Sequence, residues 1–127
     1  MRALEIAAPW GAEALKVVER PDPVPGHGEV LVRMKAVSLN YRDMLMINGM
    51  YSRGSAVGGT ITPFSHGCGV VEAVGPGVTR VAVGDRVATL FFQNWTSGRP
   101  TLEKLGSALG FPIPGAGREL ATFSQEG

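Results

Sequence analysis

Gly67-Cys68-Gly69-Val70-Val71-Glu72-Ala73-Val74-Gly75, continuing through Gly77-Val78-Thr79 to Val83-Gly84-Asp85-Arg86-Val87, is the stretch on which the fold of this 127-residue chain turns. Five glycines cut it into apolar runs that are β-branched and too short for helices. Glycine serves positive-φ turns and places where backbone must be approached closely. The block therefore reads as strands joined by tight turns, with strands over residues 69–74 and 86–92. Cys68, between two glycines, reads as a small buried filler.

Working outward, residues 29–37 form a long strand. Val30, Val32, Met34 and Ala36 share one face, and Leu31, Arg33, Lys35 and Val37 the other. Residues 2–6 and 15–19 make an opening pair of strands. Pro21-Asp22-Pro23-Val24-Pro25-Gly26 between the pair and the long strand is a rigid loop. Residues 40–48 are the best short helix, with Met44, Leu45 and Ile47 facing inward and Gly49 as its stop. Residues 52–62 are a Gly/Ser-rich loop, residues 101–109 a helix or ordered loop, and residues 119–123 a returning strand. Many short strands with little helix predict a mainly β chain, a partly open β-barrel carrying short helices.

Bulk properties narrow the function. The charged fraction is 18%, the apolar fraction 44% and the net charge +1, which are globular values. No Lys/Arg cluster points to nucleic acid, and no apolar run approaches the ~20 residues of a membrane span. The single cysteine makes neither an internal disulfide nor a zinc site alone, so a reducing cytoplasm is the simplest compartment. No Gly-x-Gly-x-x-Gly turn opens a helix, so the chain shows no pyrophosphate cradle of its own.

The glycine block, together with Asn40-Tyr41-Arg42-Asp43, Gly49-Met50-Tyr51 and Phe91-Phe92-Gln93-Asn94-Trp95, closely resembles the medium-chain dehydrogenase/reductase superfamily. That family joins a GroES-like catalytic domain to a Rossmann domain. The resemblance implies that residues 1–127 are the GroES-like domain, ending before the nucleotide-binding domain, so that this chain alone is inactive. Zinc-dependent relatives carry Cys-x-x-Asp where this chain has Asn40 to Asp43, and a Gly-His-Glu whose last two residues correspond to Ser65 and His66. A one-residue slip puts His66 on the ligand position instead. An amide and a hydroxyl are poor zinc ligands, so no metal is expected. The match is to the zinc-independent, quinone-oxidoreductase-like branch, which implies NADPH, a quinone, enone or aldehyde substrate, and a homodimer or higher oligomer.

In that branch Asn40, Tyr41 and Asp43 correspond to the nicotinamide end of the cofactor site. Tyr51 corresponds to a proton donor, so Tyr51 and Asn40 are the candidate catalytic residues. Ser65, His66, Phe92 and Trp95 would line the substrate cleft. Each has a structural reading beside it. Asn40 with Asp43 makes a capping box, Tyr51 anchors a loop, His66 faces solvent, and Phe92 and Trp95 pack in a core or subunit contact. Two rival functions stay open: a free-standing GroES-like binding or chaperonin-like module without activity, and a zinc-dependent alcohol dehydrogenase.

Overall fold

A computed structural model describes residues 1–51 and 59–127 of the chain; most of the expected 52–62 loop lies outside the described residues. Strands β1 (Arg2–Glu5) and β2 (Lys16–Glu19) pair antiparallel as a two-stranded sheet. β3 (Glu29–Ser38) is the spine of a four-stranded sheet. It is flanked on one side by β4 (His66–Val74) and then β5 (Arg86–Ala88), and on the other by β6 (Leu120–Ser124). Two short α-helices, α1 (Tyr41–Ile47) and α2 (Leu102–Leu105), and a 3-10 turn at Ala12–Ala14 complete the regular structure of the described residues. None of these helices is long and apolar enough to cross a membrane.

The alternation of β3 decides what it buries. Val30 and Val32 are 4% and 1% exposed. They meet Val71 from β4, Ala121 and Phe123 from β6, and Leu109 from the segment after α2. Fully burying one such aliphatic side chain contributes roughly 1.5–3 kcal/mol. Register shifts at Leu31/Val32 and Met34/Ala36 bend the β3–β4 ladder, and beyond them Ala36 and Val37 are exposed. A second cluster of Ile6, Met46, Ile47 and Ile61, with Trp10 and Phe111 against it, packs α1 on the Ile6–Ile61 bridge just beyond β1.

Several expectations are corrected. Helix α1 turns Met46 and Ile47 inward, not Met44, which is 53% exposed. Cys68 is exposed rather than a core filler. Its strand neighbours Gly67 and Gly69 take the inward positions, and Cys68 shares its outward face with Glu72. The strand expected over 86–92 ends at Ala88. Beyond it Leu90 N–H turns to the Gly127 carbonyl at 2.5 Å, which carries Phe91 and Phe92 out of the ladder. The 101–109 stretch is helical only over Leu102–Leu105, capped by the Thr101 hydroxyl. Gly49 ends α1 as expected, at φ 69°.

Backbone crossings are tightest at Gly75. A methyl group there would collide with the Gly26 carbonyl oxygen, and Gly75 N–H already donates to Glu29 O at 2.8 Å. At the opposite edge Arg2 ties β1 to β6. Its backbone N–H and its guanidinium donate to Glu119 at 2.7 and 2.6 Å. The backbone hydrogen bond and then the guanidinium hold the Glu119 carboxyl below the usual carboxylate range.

Gly75→Ala is expected to cost about 3 kcal/mol by overpacking against backbone that cannot yield, read as a lower urea midpoint. Because the folded-state pKa of Glu119 is depressed, its contribution is present above the ordinary carboxylate value and is lost as pH falls through the depressed one. The stability gap between wild type and Glu119→Gln should therefore narrow on acidification from about pH 6 to about pH 3 in parallel urea melts. A constant gap would show that the charge of Glu119 is not what stabilises this edge.

Candidate active site

Helix α1 starts where β3 ends, so its first turn delivers residues 40–43 beside the first residues of β4. Asn40 is the N-cap, in extended backbone at φ −117° and ψ 153°. Asp43, at the third helical position, is 3% exposed. Its Oδ2 accepts Asn40 N–H at 2.9 Å, and its Oδ1 accepts the Ser65 N–H at 3.3 Å. Both carboxyl oxygens are spent on backbone, so Asp43 joins α1 to the start of β4. These bonds make Asp43 a structural joint of the site. Phe64, immediately before Ser65, is held at φ 75°, a left-handed conformation uncommon for a bulky residue.

Asn40, Ser65 and His66 meet. The Asn40 amide nitrogen donates to Ser38 O at 3.1 Å and lies 3.1 Å from His66 Nδ1. A carbonyl oxygen only accepts, so the Ser38 contact fixes which end of the amide faces the pair. The second amide hydrogen is then directed at His66 Nδ1, which must accept, and the neutral ring carries its proton on Nε2. Ser65 Oγ, fully buried, approaches the same Nδ1 at 3.0 Å.

Two residues given no role in the sequence reading, Phe91 and Arg42, link these groups to the others. The Phe91 ring stacks on His66 with centroids 5.7 Å apart and planes at 23°. The Arg42 guanidinium lies 4.8 Å from the Phe91 centroid on one hand and 4.5 Å from the Tyr51 centroid on the other. Tyr51 therefore reaches the Asn40 group through Arg42, Phe91 and His66. Phe91 also meets Phe92 edge-on at 4.6 Å, and Phe92 meets Trp95 at 5.2 Å. A cavity of about 280 Å³ runs along Leu90, Phe91, Phe92 and Trp95 to Gly98. Tyr41 stands apart, 79% exposed. A larger cavity of about 520 Å³ lies away from this ladder, beside Trp10 and β1. In sequence, Arg42 and Phe91 showed only as members of motifs. An Arg two residues after a cap and next to a buried Asp was the available signal.

The donor set does not suit a zinc ion. His66 Nδ1 is occupied by Asn40 and Ser65, and both Asp43 oxygens by N–H groups. Among the described residues no three His, Cys, Asp or Glu side chains gather around one point. Zinc requires lone pairs from thiolate, imidazole or carboxylate, whereas Asn40 offers N–H here.

Known proteins share this framework. The chain is 40% identical over 87 residues to a quinone oxidoreductase of Pseudomonas aeruginosa, covering 68% of this chain and 26% of that protein. It superposes on the cobalt- and zinc-bound thermostable alcohol dehydrogenase of Pyrobaculum aerophilum with a TM-score of 0.80 and 32% identity, over 98% of this chain and 39% of that one. A mycobacterial protein solved with NADPH gives a TM-score of 0.66 and 32% identity, over 98% of this chain and 31% of that one. The chain thus spans about a quarter of the curated relative and less than two fifths of either solved chain. The alcohol dehydrogenase GroES-like domain profile matches residues 26–127, and with the sheet order and site just described the chain belongs to that family, the GroES-like domains of the medium-chain dehydrogenases and reductases.

Proposed function

We propose that this chain is the catalytic-domain portion of a longer, zinc-independent, NADPH-dependent oxidoreductase that reduces a quinone or an activated alkene. The observation that carries the reading is the Asn40–His66 hydrogen bond. It fills the lone pair a metal would need and leaves a neutral Nε2–H donor on a half-buried ring. A quinone oxidoreductase and an NADPH-bound protein among the relatives support the substrate class and the cofactor. When bound, the cofactor supplies the hydride.

The chain's own residues handle position and charge. Fixed N–H donors stabilise an oxygen that gains negative charge, because they need no reorganisation as the charge develops. The His66 Nε2–H is the candidate, and the amide of Asn40 holds the ring that presents it. Phe91, Phe92 and Trp95 provide an apolar wall for a flat substrate and exclude water from it. Tyr51, a neutral phenol 38% exposed, supplies a proton.

Elemental analysis of the full-length enzyme, purified without chelator, is expected to find no stoichiometric zinc; one zinc per chain would return it to the zinc-dependent dehydrogenases. Tyr51→Phe should lower kcat on an enone by about 10²-fold or more, at an unchanged melting temperature, if the phenol is the general acid. Quinone reduction should fall less, since water can protonate that product. An enone kcat like that of wild type would reduce Tyr51 to a loop anchor.

A further inference from the structure

Arg42 holds three partners at once. Its Nε donates to the Tyr51 phenol oxygen at 2.9 Å, Nη1 donates to Leu109 O at 2.8 Å, and Nη2 donates to Phe111 O. The two carbonyls flank Gly110, and a methyl there would stand 3.3 Å from Arg42 Nη1. Phe111 in turn meets the Tyr51 ring edge-on at 6.1 Å and 82°. Tyr51 is therefore gripped on its oxygen, on its ring face and on its edge, and two of the three grips are Arg42.

We propose that Arg42 is the positioning residue for proton donation by Tyr51. This rests on the reading of Tyr51 as the acid. Because the Nε–H donates, the phenol oxygen accepts, and its own hydrogen must point to another acceptor. A phenol without that donor would be free to rotate its O–H. A bound reduced nicotinamide would supply hydride to the alkene carbon distal to the carbonyl, and the electron pair displaced onto the carbonyl oxygen would make the enolate that Tyr51 protonates. The Tyr51 O–H bond then breaks as a C–H bond forms at the carbon next to the carbonyl. The phenolate left behind faces the guanidinium and is reprotonated by water. A hydrogen bond from a cation strengthens as its acceptor becomes charged, so Arg42 favours the state after transfer.

The test is a double-mutant cycle in the full-length enzyme with NADPH and 2-cyclohexenone, using Arg42→Gln, Tyr51→Phe and both together. Arg42→Gln is expected to lower kcat about 10–100-fold with KM for NADPH unchanged, and the double variant to be no slower than Tyr51→Phe. Multiplying losses would mean that Arg42 acts only by holding the fold, and would overturn the proposal. So would a wild-type kcat in Arg42→Gln beside a slow Tyr51→Phe, an outcome that leaves Tyr51 as the acid. A fast Tyr51→Phe fails the underlying reading and the proposal with it. Because Arg42→Gln also frees two carbonyls and can unfold the loop, a second measurement leaves Arg42 intact. The Arg42 Nε–H resonance of the ¹⁵N-labelled enzyme should exchange slowly with solvent, and at least tenfold faster in Tyr51→Phe. Equal exchange in the two would overturn the contact.

Discussion

A buried carboxyl group holds the site together. Asp43 accepts one backbone N–H from the cap of its own helix and another from Ser65, 22 residues downstream and immediately before β4. A buried polar group is tolerable only when its hydrogen bonds are made, and here both partners are main chain. The consequence is geometric. The side chains of Asn40, Ser65 and His66 have no freedom to drift apart, because the backbones that carry them are joined through one residue. The Asn40 amide, the His66 ring and the Ser65 hydroxyl then converge without any of them forming the joint.

Arg42, the residue before Asp43, closes a second joint from the same helix turn. It fastens the segment around Gly110 to α1 by two carbonyls and reaches Tyr51 with its remaining edge. The planar fork suits this, since its N–H donors point in fixed, divergent directions. Between the two joints runs the stack of Tyr51, Arg42, Phe91 and His66. Such contacts are each worth about 0.5–2 kcal/mol, enough to align rings but not to lock a cleft shut.

The spine of the fold was legible because its residues obey short periods. The alternation of residues 29–37 gives β3 with nearly its observed limits, the glycine block gives the end of β4 but starts it three residues late, and Asn40, Asp43 and Gly49 bound α1 by local chemistry. The misses have physical causes. Seven residues are two turns of helix, too few for the hydrophobic pattern to choose between Met44 and Met46. Cys68 could have been placed outward, since it stands four residues from Glu72 on a strand of period two. The polar trio was legible as separate motif positions, whereas its hydrogen bonds depend on where α1 meets β4. Phe91 looked like strand, and only the turn of Leu90 toward Gly127, a contact across 37 residues, releases it to stack.

The tie between Arg2 and Glu119 has a consequence for the order in which the chain can fold. β1 pairs with β2 close by, yet Leu4 N–H also donates to Gly117 O and Glu119 N–H to Arg2 O. β3 likewise finds β4 a few tens of residues on, and waits for β6 to cover its other edge. On the ribosome, then, the first strand emerges with its lasting neighbour more than a hundred residues from being made. The β3–β4 hairpin with α1 between can assemble early, but its β6 flank stays open until residues 117–124 are released, and this late closure is paid in loop entropy.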